Sequence, residues 1–427
     1  MDFYFENIRI IEPSSGTDET ANVRIKDGYI TDISKQELET NSDTQRTDGR
    51  ELIMAPGFID IHVHLREPGQ EQKETIKSGT DSAANGGFTS VVCMPNTTPA
   101  IDSKETIEYI KNKSEGLLTN VLISAAITKG RKGLEIGNLD ELHDLGVVLF
   151  TDDGSPVSDS DVMRDAFFAS AKNDLLLSQH CEDTKLTGNF LMNESPLSNK
   201  LGLKGYPRIA EEIILFRDIT MAEYYGNRAY HAQHLSTAGA IDIVRYAKSR
   251  SIRATCEATP HHFVLTEENM VEFNPNYKMN PPLRQSHDVE AIIEGIKDGT
   301  IDCIATDHAP HTDNEKGNGL EMAPNGIIGL ETAIGLSMTY LVHKKHISIN
   351  RMIEMLTVNP RRVLRLDNPE IKAGAMAELT IFAPDEVWTV NKNKFKSKSK
   401  NTPFDGFVLK GKPKYVFNNF QYLECNL

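Results

Sequence analysis

Residues 58 to 66 read Phe58-Ile-Asp-Ile-His-Val-His-Leu-Arg66, and the fold is decided by what this stretch demands of its surroundings. It is apolar and rich in β-branched residues, which predicts a buried strand whose side chains alternate between two faces. His62 and His64 then share a face, and Arg66, just past the strand end, lies on the same side. Two neutral nitrogen donors and one fixed cation converge on one opening, a combination that suits a metal ion with an anionic ligand beside it. An isolated His-x-His pair is a weak signal. Its weight comes from what the rest of the chain places around it.

Downstream, apolar strand-like runs alternate with helical periodicity. Strands are predicted at 58–64, 89–95, 121–128, 146–152, 175–182, 228–236, 253–260 and 303–309, with helices between them at 73–85, 104–113, 208–225 and 237–249. Asp102 and Ser103 are candidate N-caps for the second of these helices, Gly86-Gly87 stops the first, and Ile209, Ile213, Phe216 and Ile219 mark an apolar stripe on the third. Eight strands alternating with helices are what a (β/α)₈ TIM-type barrel requires, here over residues 56–365. Upstream, residues 3–11 alternate like a strand, and the runs 21–26 and 29–34 flank the hairpin turn Asp27-Gly28. The C-terminal end returns to short β-like runs at 378–382, 386–390, 407–409 and 414–422. Neither end supplies enough strands alone, so residues 1–55 and 366–427 are expected to form one composite domain, a small β-sandwich. Lysines 392, 394, 396, 398 and 400 recur at every second residue, which predicts a solvated edge strand protected by charge.

Composition narrows the function classes. The 427 residues carry 46 Lys plus Arg against 61 Asp plus Glu, a net charge of -15, which opposes nucleic acid or an anionic membrane as partner. Cys93, Cys181, Cys256, Cys303 and Cys425 are scattered without Cys-x-x-Cys spacing, so neither a disulfide framework nor a thiolate zinc site is indicated. No basic-then-apolar leader opens the chain and no apolar run reaches the ~18 residues of a membrane span. The expectation is a cytoplasmic protein.

In such a barrel the active site lies at the C-terminal strand ends, and five of them carry ligand-type residues. Strand one ends in His62 and His64, strand four in Thr151-Asp152-Asp153-Gly154, strand five in His180, strand six in His231 and His234, and strand eight in Asp307-His308-Ala-Pro-His311. Imidazole and carboxylate without cysteine suit zinc, with manganese or cobalt as substitutes. The Gly- and Asn-rich residues 311–327 follow directly and are either a mobile loop over the site or an ordinary connection.

These motifs together resemble the dihydroorotases of the amidohydrolase superfamily, of the bacterial type with an Asp-x-His-x-His-x-Arg signature. The matching segments are Asp60-Ile-His-Val-His-Leu-Arg-Glu-Pro-Gly69, Met94-Pro-Asn-Thr-Thr-Pro99, Phe150-Thr-Asp-Asp-Gly154, the Gln-His-Cys-Glu and Gln-His-Leu-Ser segments, Asn280-Pro-Pro-Leu-Arg284, Ala305-Thr-Asp-His-Ala-Pro-His311 and Asn401-Thr-Pro-Phe404. The resemblance implies a binuclear centre of two zinc ions per chain, with His62, His64 and Asp307 on one ion, His180 and His234 on the other, and Asp153 between them. No lysine lies between Lys132 and Lys172, so a bridging aspartate replaces the carboxylated lysine of many superfamily members. Arg66 and Asn96 match the pair that binds the substrate carboxylate, and Asn280 and His311 match further substrate contacts. His231, His261, His262 and His287 are read as structural. The implied reaction is reversible hydrolysis of the cyclic amide of dihydroorotate to N-carbamoyl-aspartate in pyrimidine biosynthesis, with Asp307 carrying the proton. An allantoinase or hydantoinase is the alternative within the enzyme class, opposed by Arg66 with Asn96 and by the missing lysine. A catalytically silent assembly subunit is the alternative outside it, opposed by the full set of ligands. A homodimer and an association with a carbamoyltransferase both stay open, as does the native metal.

Overall fold

The computed structural model describes residues 1–427. Eight parallel strands follow one another around a barrel: Phe58–Val63, Phe88–Cys93, Asn120–Ala125, Val147–Phe150, Leu177–Gln179, Tyr230–Ala232, Ala254–Ala258 and Cys303–Ile304, referred to below as barrel strands one to eight. Each predicted strand is present, and most are shorter than the apolar run that announced them. Strands one and two are buried at every position, as expected of parallel strands covered on both faces. The barrel closes where the His64 amide donates to the His308 carbonyl at 2.8 Å and Val63 pairs with His308. Asp60 strengthens this seam: its buried carboxylate accepts from the amides of His62 at 3.1 Å and of Thr306 at 3.2 Å, tying strand one to strand eight.

The helices between strands start and stop where the sequence signals. Thr75 and Ser103 cap Ile76–Asn85 and Lys104–Ser114 through capping boxes, and Gly86 ends the first. The helix Ile209–Tyr224 differs from expectation. Its buried face holds Ala210, Glu211, Ile214, Leu215, Asp218, Ile219 and Ala222, while Ile209, Ile213 and Phe216 are exposed. The helix is rotated because two acids are needed inside. Glu211 caps the next helix by accepting from the amides of Ser236 and Thr237, and Asp218 accepts from Gln179 and the Tyr230 hydroxyl.

Strands from both termini join in one eight-stranded sheet with its own cluster of 17 buried apolar residues. The strands are hydrogen-bonded in one continuous sheet that folds over its own core as the expected sandwich: Phe3 of the first strand packs against Phe417, and Phe5 against Tyr415, with ring centroids 5.2 Å and 5.6 Å apart, although two strands separate them in the sheet order. The first strand, Asp2–Glu12, changes partner midway. Residues 3–6 pair with 45–48, and residues 9–10 with 53–54. The register shift between Phe5 and Ile8, with Asn7 at φ 55°, makes that turn. Ile53–Pro56 also pairs with Leu379–Thr389, which links the two termini before the chain enters the barrel.

The lysine-rich run is not an edge strand. After a short turn at Lys392–Lys394 it continues as a strap that bends at Ser397 and Lys398, with Lys396 and Lys398 exposed and Phe395, Ser397 and Ser399 buried. Its polar groups satisfy buried carboxylates rather than a neighbouring strand: Lys396 and Ser397 amides donate to Glu331, and the Ser397 hydroxyl and Lys398 amide to Glu74. The strap ends at Asn401, which accepts from the His311 amide at 3.0 Å and donates to the carbonyls of Ala309 and Gly326.

Residues 311–327 contain two short helices, Asp313–Lys316 and Gly319–Met322. Two buried lysines tie them down. Lys316 Nζ donates to the carbonyls of Pro275, Lys278 and Pro324, and Lys278 Nζ to those of Leu320, Glu321 and Ala323. Three carbonyls for three ammonium protons satisfy each charge.

Candidate metal centre and substrate pocket

All six side chains expected to hold metal converge at the C-terminal mouth of the barrel. The period of strand one brings His62 and His64 to one side. Strand four delivers Asp153, strand five His180, strand six His234 and strand eight Asp307. Potential ligand atoms of His62, His64 and Asp307 lie within 4.8 Å of one another, as do those of His62, Asp153 and His234. Asp153 sits centrally. Its Oδ1 is 3.4 Å from His62 Nε2, 3.8 Å from His234 Nε2 and 3.9 Å from His180 Nδ1, and its Oδ2 is 3.6 Å from His64 Nε2. Asp307 Oδ1 is 2.8 Å from His64 Nε2 and 3.6 Å from His62 Nε2. His234 and Asp307 hold φ of 29° and 48°, conformations that L-residues rarely adopt and that tight surroundings must impose.

Each imidazole turns one nitrogen inward because the other is engaged or enclosed. His62 Nδ1 donates to Glu257 Oε1 at 2.6 Å, leaving Nε2 buried without a hydrogen-bond partner. His64 Nδ1 donates to Asn96 Oδ1 at 2.9 Å, and His180 Nε2 to Glu182 Oε2 at 2.9 Å. His180 Nδ1 and His234 Nε2 then face each other at 2.9 Å, while His234 Nδ1 is buried and unpartnered. The electrostatics ask for cations. Burial pushes the carboxyls of Asp153 and Asp307 up, but the surrounding histidines outweigh it and hold both below the usual carboxylate range. Burial likewise opposes a proton on His62, yet the charges of Glu257 and Asp153 push that imidazole well up. Acids held ionised around imidazoles with inward lone pairs are the donor set of a divalent metal centre, and oxygen and nitrogen donors without sulfur suit zinc.

His64, Asp153, His180, His234 and Asp307 line a cavity of about 210 Å³ together with Arg66, Asn96, Asn280 and His311. Arg66, at φ 62°, is buried, with Nε donating to the Pro310 carbonyl at 3.2 Å. Burial lowers it to about 10, so it stays charged at neutral pH. His311 donates from Nε2 to the Asn325 carbonyl at 2.8 Å, and its Nδ1 faces Lys73 Nζ at 3.4 Å. Burial, then the charges of Arg66 and Lys73, hold this imidazole far below its ordinary range and therefore neutral. Asn280 donates to Glu182 at 2.8 Å and leaves Oδ1 buried and unpartnered.

Of the four histidines read as structural, three have partners of their own and His261 is buried. His231 binds Thr255 and Glu257, His262 binds Thr259 and the Pro281 carbonyl, and His287 is near Arg208 on the surface. Sequence reasoning missed Glu257, Glu182 and Lys73, and it assigned Asn96 only to substrate although this side chain also joins His64 to Asp153, 3.4 Å away. The available signal was position: Glu182 follows His180 by two residues, and Glu257 lies near the end of strand seven.

Comparisons with known proteins bear on the family and the fold. A family model described as dihydro-orotase-like matches residues 50–239. The dihydroorotase of Acetivibrio thermocellus is 44% identical over 411 residues, covering 96% of either chain, and that of Clostridioides difficile is 44% identical over 97% of either chain. Among solved structures, an L-hydantoinase (dihydropyrimidinase) from Arthrobacter aurescens superposes with a TM-score of 0.87 at 21% identity, over 100% of this chain and 97% of its own. A dihydropyrimidinase from Brevibacillus agri does so at 0.84 and 19%, over 100% and 95%. The structures share the fold, and the sequence relatives place the chain more narrowly: it belongs to the dihydroorotase family.

Proposed function

We propose that the protein is a dihydroorotase that opens and closes the ring of dihydroorotate in pyrimidine biosynthesis, using two divalent ions, zinc by donor type. His62, His64 and Asp307 would hold one ion, His180 and His234 the other, with Asp153 between them. When bound, such ions polarise the scissile carbonyl and make water nucleophilic near neutral pH.

The observation that carries the substrate assignment is Arg66. A buried guanidinium, still charged, lines the same small cavity as the ligand set. It can take a carboxylate in a bidentate fork, and Asn96 and Asn280 offer amide groups around the same space. Neutral His311, held by Asn325 and Lys73, adds a polar wall without a second positive charge. A ring bearing a carboxylate is thereby oriented with its amide toward the ligands. As the carbon–oxygen bond forms and the ring carbon–nitrogen bond breaks, Asp307 takes the proton from the attacking water and delivers it to the departing ring nitrogen. Closure runs the same steps in reverse.

A hydantoinase-like activity on uncharged rings is the competing reading, and it has no use for Arg66. Hydrolysis of dihydroorotate should exceed that of dihydrouracil by orders of magnitude in kcat/KM. Equal rates would transfer the assignment to the hydantoinase reading.

A further inference from the structure

Glu257 lies beneath the pocket at strand seven, 1% exposed. Its two oxygens divide their work. Oε1 accepts from His62 Nδ1 at 2.6 Å and from the His234 main-chain amide at 3.2 Å. Oε2 accepts from His231 Nε2 at 3.2 Å, and His231 Nδ1 sits 2.8 Å from Thr255 Oγ1. One carboxylate oxygen therefore holds a residue from each of the two proposed ligand sets. The other support contacts differ: Glu182 touches His180, and Asn96 joins His64 to the shared Asp153, but neither reaches a histidine of both sets.

We infer that Glu257 is a positioning residue that couples the two metal positions, an inference that rests on the binuclear reading above. Its bond to Nδ1–H selects the His62 tautomer whose Nε2 lone pair faces the ions and makes that imidazole a stronger donor. The same oxygen restrains the His234 amide, where the main chain holds a positive φ of 29°. His231 acts through Glu257. With Nε2–H directed at the carboxylate and Nδ1 accepting from Thr255, it fixes the carboxylate's second oxygen and so aims the first.

Loss of a carboxylate that orients a metal-binding histidine costs about 10- to 100-fold in metal affinity. Because Glu257 reaches both sets, both ions should weaken in its variants. The test is competitive titration of metal-stripped protein with Zn²⁺ against a chromophoric chelator, resolving the two binding steps in the parent, Glu257→Gln, Glu182→Gln and His231→Asn. Metal-free melting temperature serves as the check on folding. Glu257→Gln should bind both ions about tenfold or more weakly while its metal-free form melts with the parent's, because the amide keeps the shape and an acceptor but not the charge. Glu182→Gln should weaken one step only. If Glu257→Gln does not fold, His231→Asn carries the test and should weaken both steps by a smaller factor. Parental affinity at either step in a folded Glu257→Gln, or equal weakening of both steps in Glu182→Gln, would overturn the coupling. A parent that takes up fewer than two ions fails at the binuclear reading instead, an outcome distinct from both.

Discussion

Replacing Arg66 with Met removes the guanidinium while keeping an unbranched apolar stem that ends about where Nε stood. In the structure this cation is buried beside a small cavity, with Nε spent on the Pro310 carbonyl and one terminal nitrogen 3.3 Å from His311 Nε2. A hydrogen bond to a charged group contributes about 1.5–3 kcal/mol, so a two-pronged grip on a carboxylate amounts to roughly 3–6 kcal/mol. At about 1.4 kcal/mol per factor of ten, kcat/KM for dihydroorotate should fall on the order of 10²- to 10⁴-fold, mostly through KM. Arg66→Lys keeps the charge but not the planar fork and should fall between parent and Met variant. The assay is ring opening of dihydroorotate and of dihydrouracil, with metal content and melting temperature recorded for each variant. Dihydrouracil, lacking the carboxylate, should be hydrolysed as poorly by the variant as by the parent. A loss below tenfold for dihydroorotate, or a parallel loss for both rings with metal retained, would refute carboxylate recognition by Arg66.

Asp307→Asn should abolish turnover in metal and rate measurements made together, while much of the metal survives, because an amide can offer an oxygen but cannot carry the proton. Substantial activity in that variant removes Asp307 from proton transfer. Initial rates measured in both directions from about pH 5.5 to 9 should move oppositely: hydrolysis needs water made nucleophilic near neutral pH and should rise, whereas closure consumes a proton, because the open form carries a second acid with an ordinary pKa of about 4, and should fall. The Asp307 carboxyl, held below the ordinary range by the histidines around it, stays ionised across that window and does not itself set the rise in hydrolysis, and rates rising together would sink the shared proton carrier. His261 is held down to about 4, first by burial. Its folded pKa is therefore below the unfolded value near 6.5, so its contribution is full above 6.5 and is lost as pH falls toward 4, an upper limit on the order of 3 kcal/mol. In urea melts, His261→Gln should flatten the fall in stability across that window. An unchanged slope would place the acid sensitivity elsewhere.

The barrel was legible because its signals are local and repeated: short apolar runs, helix caps, and ligand-type residues at strand ends. The histidine pair shows this best, since a period of two puts His62 and His64 on one face whatever surrounds the strand. What stayed hidden depended on buried polar groups that only the tertiary structure brings together. The helix Ile209–Tyr224 reads by apolar spacing as facing the core with Ile209, Ile213 and Phe216, but Glu211 and Asp218 are needed inside and turn it. The alternation of the lysine-rich run was legible and its partner was not, because Ser397 answers Glu74 and Glu331, more than 60 residues away in sequence. Glu257 escaped for the same reason: an acid within a buried strand has no meaning until His62, His231 and the His234 amide are placed around it.

The central claim is that six side chains build one two-metal site with Asp153 as its shared anion. Metal analysis of purified parent and Asp153→Ala, reconstituted from the metal-stripped state without added bicarbonate, tests it most directly. The parent should take up two ions per chain and regain dihydroorotate hydrolysis, since no lysine needs carboxylating, and Asp153→Ala should hold fewer ions and lose activity with them. Two ions retained in Asp153→Ala, or a strict bicarbonate requirement in the parent, would contradict the account.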